Sequence, residues 1–196
     1  GQGAPTKKDG KYRRPFLFVM TLSHSRHAYY EVVWRQDVET FIRCHERAFQ
    51  AFGGVTQVVL LDNLKAGVLK AHLYEPELNQ LYEAYAHFAG FIPLPCQVRR
   101  PEHKGKVESG VKYGQNNALK GLQFESIEAQ NQHLRHWNAS IAFLRRHGTT
   151  KQVVSDLFAI EAEHLKPLPQ GRFSTFKIAM RRVHPDAHVE VEGAYY

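Results

Sequence analysis

The chain has 196 residues, of which 43% are hydrophobic and 23% are charged, and its formal net charge is +7. These proportions are those of a globular protein, so they exclude disordered, collagen-like and coiled-coil chains. No apolar run approaches the roughly 20 residues that a membrane span needs, so no membrane partner is predicted. The length suits one domain of about 150 residues with a small appendage.

The cysteines and the chain ends predict an intracellular fragment. Cys44 and Cys96 lie far apart and neither belongs to a C-x-x-C pair, which argues against a disulfide framework and against a cysteine-based zinc site. The predicted compartment is therefore a reducing cytoplasm. Gly1 is not an initiator methionine and no signal segment follows it, so we expect the sequence to be a piece of a longer protein.

Positive charge is concentrated in two segments. Residues 1–14 contain five Lys or Arg and one acid, and residues 97–121 contain six Lys or Arg and two acids. Clustered cations displace counterions from phosphates better than scattered ones, so the segments favour a surface that binds a polyanion. On charge alone, a solvated loop and a solvated helix face explain the pattern equally well.

The first elements predict an antiparallel meander. A turn signal, Lys-Asp-Gly-Lys at residues 8–11, precedes an apolar, β-rich run over 14–22, which is typical of a hairpin followed by a strand. Residues 27–34 are rich in aromatic and β-branched side chains. They predict the neighbouring strand of the same sheet.

Helices and strands then alternate. Residues 37–54 have a helical apolar period that ends in two glycines, and the apolar run 55–61 is typical of a strand buried on both faces. Together they predict a β-α-β passage. A second helix is predicted over 76–88, and a short strand over 91–96, whose prolines require an edge position or a strand end.

The last third predicts two helices and the start of another module. The helices cover residues 127–146, capped by Ser126, and 152–165. The Pro- and Gly-containing stretch 166–171 predicts a linker. Alternating runs over 176–183 and 187–192 then predict two strands. The predicted domains are 1–165, the linker 166–171, and a truncated module over 172–196.

Two acidic positions carry the chemical hypothesis. Asp62 and Asn63 directly follow a predicted buried strand, where an α/β sheet opens to ligand. If the second basic segment is a helix, Lys104, Glu108 and Lys112 share one face. A carboxylate there would hold a divalent metal while the cations hold a phosphate backbone. Without Asp62, ordinary i,i+4 pairing of Glu108 with the lysines would be the preferred interpretation.

These residues resemble a known superfamily. Leu61-Asp62-Asn63, together with residues 104–109 (Lys-Gly-Lys-Val-Glu-Ser), is similar to the second and third acids of the D-D-E integrases and transposases. With the segments 1–5, 16–20, 25–29 and 182–186, the chain resembles the large transposase subunit of two-gene bacterial insertion sequences. The resemblance implies an α/β, ribonuclease-H-like fold: a mixed five-stranded sheet flanked by helices, its first strand largely missing, followed by the start of a small β-barrel.

The resemblance also implies a reaction. Asp62 and Glu108 would be catalytic metal ligands, and the first acid would lie about two residues upstream of Gly1. Two Mg²⁺ or Mn²⁺ ions would then support DNA end cleavage and strand transfer. The fragment is expected to be inactive because one ligand is missing. The implied partners are DNA, an AAA+ ATPase helper and further copies of the chain, in the nucleoid-associated cytoplasm of a bacterium.

The predicted DNA contacts surround the second basic segment. Lys112, one turn after Glu108, is the contact that the resemblance implies. The other candidates come from charge and position: Asn63, Arg99, Arg100, Lys104, Lys106 and Tyr113. Most other aromatic residues, Trp34 and Trp137 included, are expected to belong to the core and strands.

Other functions remain open. One is a non-catalytic DNA-binding or assembly module in which the acids have no chemical role. Another is a ribonuclease-H-like nuclease without joining activity. A zinc site at His24, His27 or the Cys44–His45 pair is disfavoured because the spacing fits no zinc pattern.

Overall fold

The computed structural model describes residues 1–61, 68–70, 77–95, 109–176, 188–191 and 194–195. The strands are β1 (Thr6–Lys8), β2 (Lys11–Arg13), β3 (Phe16–Thr21), β4 (Ala28–Val33), β5 (Val58–Leu61), β6 (Val68–Lys70), β7 (Glu77–Leu78), β8 (Ile92–Pro95), β9 (Glu190–Val191) and β10 (Ala194–Tyr195). The helices are α1 (Val38–Phe52), α2 (Gln80–Ala89), α3 (residues 109–119, with a last turn of π-helix), α4 (Ile127–Trp137) and α5 (Val154–Ala162).

The N-terminal strands form two antiparallel hairpins among the described residues, and the predicted continuous meander is not observed because β2 and β3 belong to separate sheets. β1 and β2 pair antiparallel around Asp9 and Gly10, whose φ angles of 50° and 75° are those that a two-residue hairpin turn requires. β3 and β4 pair antiparallel along their full length. The turn chemistry and the alternation of side chains were therefore sufficient to predict these four strands.

β5 and β8 form a parallel pair connected through α2. The prediction that β5 is buried on both faces is wrong. Val59 and Leu61 are buried, whereas Val58 and Leu60 are 41% and 38% exposed. Only the face that carries Val59 packs against α1 and α2, so the apolar run fills one core instead of two.

The mixed α/β class is confirmed, but a continuous five-stranded sheet is not observed. In the described part of the chain, the strands form five separate two-stranded sheets. β9 and β10 make one of these pairs, and no closed barrel is present among the described residues. Of the strand predicted over 176–183, Phe176 is not in a strand, and the remainder lies outside the described residues.

Two main cores hold the elements together. One lies between α1, α2 and β5 and is rich in aromatic residues. Its buried members include Ile42, Phe49, Tyr82, Tyr85, Phe91 and Phe173. The other packs α4 and α3 against β4. Its buried members include Tyr30, Val32, Ala118, Leu134 and Trp137. Burial of this apolar surface is the main source of stability.

The helix ends follow their capping residues, with one exception. The Asp37 side chain accepts a hydrogen bond from the Thr40 amide at 2.8 Å, and α1 ends at Gly53, whose φ is 76°. The helix predicted over 127–146 instead ends at Trp137 and continues as a turn of π-helix. There the Asn138 side chain donates to a β4 carbonyl at 2.8 Å, a tertiary contact that the sequence period does not reveal.

Among the described helices, none combines the length and the apolar character that crossing a membrane requires.

The helix predicted over 152–165 is present in a shorter form as α5.

Candidate active-site groove

A largely apolar groove of about 530 Å³ separates β3 from β5. Residues 16–22 and 58–61 line it without interruption. Because side chains alternate between the faces of a strand, an unbroken run means that the strand edges border the groove. The opposite edges of β3 and β5 already pair with β4 and β8. The free edges of the β3–β4 pair and the β5–β8 pair, here called the two half-sheets, therefore border the same groove.

The first residues of the chain lie at one end of this groove. Gly1 and Leu17 exchange backbone hydrogen bonds. The Leu17 amide donates to the Gly1 carbonyl at 2.9 Å, and the Gly1 amino group donates to the Leu17 carbonyl at 3.3 Å. Gln2 is opposite Phe16, in antiparallel orientation. Gly1 itself lines the groove. The chain therefore starts on the edge of β3 that faces β5.

α3 crosses β3 at close range through two glycines. A Cβ atom on Gly110 would lie 2.9 Å from Thr21 Oγ1, and one on Gly114 would lie 2.6 Å from Cε1 of the Tyr30 ring. The Tyr30 hydroxyl donates to the Gly110 carbonyl at 3.4 Å, and burial raises the pKa of Tyr30 to about 12. These contacts fix the first turns of α3 against the sheet, where Val111 also lines the groove.

Replacing Gly114 by alanine is expected to destabilise the protein by about 1–2 kcal/mol, because overpacking a tight contact outweighs the better helix propensity of alanine. Urea unfolding measures this difference. Gly148→Ala is the matched control, since a Cβ there meets no atom within 4 Å. Equal stability of Gly114→Ala and the parent chain would contradict the close packing of α3 on Tyr30.

Most of the predicted site residues lie outside the described residues. They are Asp62, Asn63, Arg99, Arg100, Lys104, Lys106 and Glu108. Their described neighbours can be placed: Leu61, directly before Asp62, lines the groove, and Ser109 begins the described part of α3. The strand that leads into Asp62 and the helix that follows Glu108 therefore border the same groove.

Where α3 is described, it is amphipathic, and Lys112 represents the predicted polar face. Gly114 and Ala118 are buried, Val111 is half-buried, and Lys112 is exposed. Lys112 is therefore available to an external ligand. Its role as a DNA contact stays a prediction.

Tyr113 contacts an aromatic ring and a cation that the sequence did not reveal. Its ring centroid is 5.4 Å from that of Trp137, and the Arg145 guanidinium carbon lies 3.5 Å from the centre of the ring. Arg145 Nε is buried and has no hydrogen-bond partner among the described residues. The ring therefore already has two protein contacts, although binding of a base by Tyr113 stays a prediction. No periodic signal in the sequence could have paired Tyr113 with Arg145.

His45, which lines the groove, belongs to the protein core. His45 is buried, with Nδ1 2.9 Å from the Phe41 carbonyl oxygen and Nε2 3.2 Å from the Tyr82 hydroxyl. Burial lowers the pKa of His45 to about 4 and raises the pKa of the Cys44 thiol to about 12. A neutral imidazole and a neutral thiol at pH 7 form part of the core beside the groove. Within the described ranges, no group of three His, Cys, Asp or Glu could hold a metal ion.

In sequence, the chain is similar to transposases of bacterial insertion sequences. It is 37% identical over 179 residues to the transposase for insertion sequence element IS21 of Pseudomonas aeruginosa, covering 91% of this chain and 46% of that protein. It is 32% identical over 193 residues to the transposase for an IS21-like element of Bacteroides fragilis, covering 96% of this chain and 37% of that protein. No protein-family model matches the chain.

Similarity of this extent places the chain among the transposases of bacterial insertion sequences. Within that class, it belongs to the IS21 family. The chain spans less than half the length of these relatives.

Proposed function

We propose that this chain is the catalytic core of a D-D-E transposase, which cleaves DNA ends and transfers strands with the help of divalent metal ions. One observation carries the proposal: the chain start, the end of β5 and the start of α3 all border one groove. Asp62 directly follows β5, and Glu108 directly precedes the described part of α3. Each acid is thus adjacent in sequence to an element that borders the groove: Asp62 to β5 and Glu108 to α3.

The register at the chain start supports a place for the first acid. Because Gln2 is opposite Phe16 and the strands are antiparallel, the residue directly before Gly1 would be opposite Phe18. The residue before that would be opposite Val19, which Gly110 approaches. The resemblance to D-D-E enzymes implies a first acid about two residues before Gly1. Three acids would then meet at one end of the groove.

A strand in the groove would also join the half-sheets. It would pair with β3 on one side and β5 on the other, giving the five-stranded order expected for a ribonuclease-H-like fold. The four strands concerned are described as two separate pairs. Thr21 lines the groove, and its Oγ1 is a buried hydroxyl without a hydrogen-bond partner among the described residues.

Cross-linking tests this strand. Gly1 and Leu17 exchange hydrogen bonds, so the next pair along is a non-hydrogen-bonded pair, with Cα atoms about 4.5 Å apart, within reach of a disulfide. In a chain extended upstream, with Cys44 and Cys96 replaced by alanine, a cysteine directly before Gly1 and Phe18→Cys should cross-link on oxidation. Leu17→Cys is the control, because alternate side chains lie on opposite faces. Equal cross-linking to both positions would contradict the register.

The donor set fits magnesium or manganese. Carboxylates that lie close together repel each other unless a cation sits between them, and hard divalent cations prefer oxygen ligands. Such ions activate a water or a DNA 3′-hydroxyl and stabilise the leaving oxygen. Asp62 and Glu108 would hold them, and Lys112 would hold a phosphate of the DNA.

The test is joining of a labelled element-end duplex to target DNA in Mg²⁺ or Mn²⁺. We expect joining from a chain that is extended upstream to include the first acid, and none from the 196-residue chain. Cleavage without joining would favour a nuclease. DNA binding without any reaction would favour the non-catalytic module. The AAA+ helper, a homo-oligomer and a place in the bacterial cytoplasm near the nucleoid belong to the same proposal.

A further inference from the structure

The β1–β2 hairpin has a basic face that the catalytic proposal does not use. Residues directly opposite each other in an antiparallel pair point to the same side of the pair. Lys8 is opposite Lys11, and Thr6 is opposite Arg13. The cations Lys8, Lys11 and Arg13 therefore share one face. Lys11 and Arg13 are exposed, and Lys8 is half-buried.

The opposite face of the hairpin is already neutralised. Lys7 forms an ion pair with Glu125 at 3.0 Å, and the Tyr12 hydroxyl donates to the same carboxylate at 2.7 Å. On the basic face, Lys8, Lys11 and Arg13 form no ion pair with an acid in the described ranges. A directly opposed lysine pair is unfavourable by itself. Its presence indicates a surface that meets an external anion.

The basic face extends towards α3. Lys8 Nζ lies 4.9 Å from the centre of the Trp34 ring, which holds that lysine over a half-buried aromatic residue. Arg14, next to Arg13, borders a second cleft of about 370 Å³ together with Lys120, the residue after α3. Arg14, which also donates to the Gly3 carbonyl at 3.2 Å, and Lys120 thus place two further cations beside this cleft, at the C-terminal end of α3.

We propose that the face formed by Lys8, Lys11 and Arg13, continued by Arg14 and Lys120, binds the phosphate backbone of DNA. This second DNA-binding surface is separate from the metal site. It rests on the proposed function only in the choice of DNA as the polyanion. A basic surface that binds membranes combines cations with exposed apolar side chains. The hairpin's exposed aromatic residue, Tyr12, lies on the other face, so DNA is the better fit.

Salt-dependent DNA binding tests the proposal with matched variants. The 196-residue chain is titrated with a labelled duplex of random sequence in EDTA, from about 50 to about 200 mM salt. Lys11→Gln should reduce the slope of log K against log salt by about 0.9, the value for one phosphate contact. Lys7→Gln removes the same charge from the paired face of the same hairpin and should leave the slope unchanged. Lys11→Arg should retain the parent slope.

Two results would overturn the proposal. Equal changes for Lys7→Gln and Lys11→Gln would mean that only overall charge matters, and no change for Lys11→Gln would mean that the hairpin does not touch DNA. Thermal unfolding of each variant shows whether the chain remains folded. Because EDTA removes divalent metal, this outcome does not depend on the catalytic proposal.

Discussion

Glu108→Gln, in a chain extended upstream to contain all three acids, is expected to lower metal-dependent strand transfer by about 10³-fold or more. Metal-ion stabilisation of a phosphoryl-transfer transition state contributes several kcal/mol, and each 1.36 kcal/mol is about tenfold in rate. The amide keeps the shape of the carboxylate but carries no charge to hold the cation. Asp62→Asn should have an effect of similar size for the same reason. Joining rates at saturating Mg²⁺ measure both.

The matched control is Glu163→Gln. Glu163 is exposed and follows α5, so its replacement makes the same chemical change away from the groove. We expect its joining rate to equal that of the parent chain. Because the acids would act through metal, raising the Mn²⁺ concentration should partly restore Asp62→Asn if metal affinity is what it loses. Full activity of Glu108→Gln would exclude Glu108 as a catalytic ligand.

Acid is expected to destabilise the fold by up to about 6 kcal/mol through two buried histidines. Burial lowers the pKa of His45 to about 4. Burial also lowers the pKa of His27 to about 4, although the nearby charge of Glu161 acts to raise it. Unfolded histidine titrates near 6.5, so each shift corresponds to about 3 kcal/mol. Between pH 6.5 and 4 the unfolded chain binds more protons than the folded chain. Stability is therefore greatest above about pH 6.5 and falls as the pH drops towards 4.

The measurement is the free energy of unfolding in urea at several pH values between 4 and 7. His27→Phe separates one contribution. The His27 ring packs against Phe52, Phe143 and Phe158, and its Nδ1 atom is buried without a hydrogen-bond partner among the described residues. Phenylalanine should therefore fit with little loss at pH 7 and should remove about half of the acid destabilisation. An unchanged pH profile would mean that His27 is accessible to solvent in the folded state.

Local signals predicted the elements whose boundaries are set by neighbouring residues. The Asp9-Gly10 turn, the Ser126 cap and the Gly53 stop are all found where the sequence indicates. Each depends on backbone geometry or a hydrogen bond within a few residues. Such interactions do not require knowledge of what packs against the element.

The sequence was less informative where a distant contact decides the outcome. The apolar run of β5 is compatible with burial on one face or two, and only the packing of α1 and α2 selects one. α4 ends early where Asn138 reaches the Ala28 carbonyl. Tyr113 has an ordinary place in an amphipathic period, yet its ring contacts both Trp137 and Arg145.

By itself, the sequence determined the mixed α/β class, the alternation of elements, the amphipathic character of α3 and, through the similarity of its motifs, the family. Each of these depends on residue type and spacing alone. Only the tertiary structure decided that the edges of β3 and β5 border one groove, that Gly1 opens onto it, and that Lys8, Lys11 and Arg13 share a face without ion-pair partners in the described ranges. The physical reason is that the groove and the surroundings of the basic face are formed by segments far apart in the chain. Tertiary packing, and not local backbone preference, decides which of these segments lie side by side.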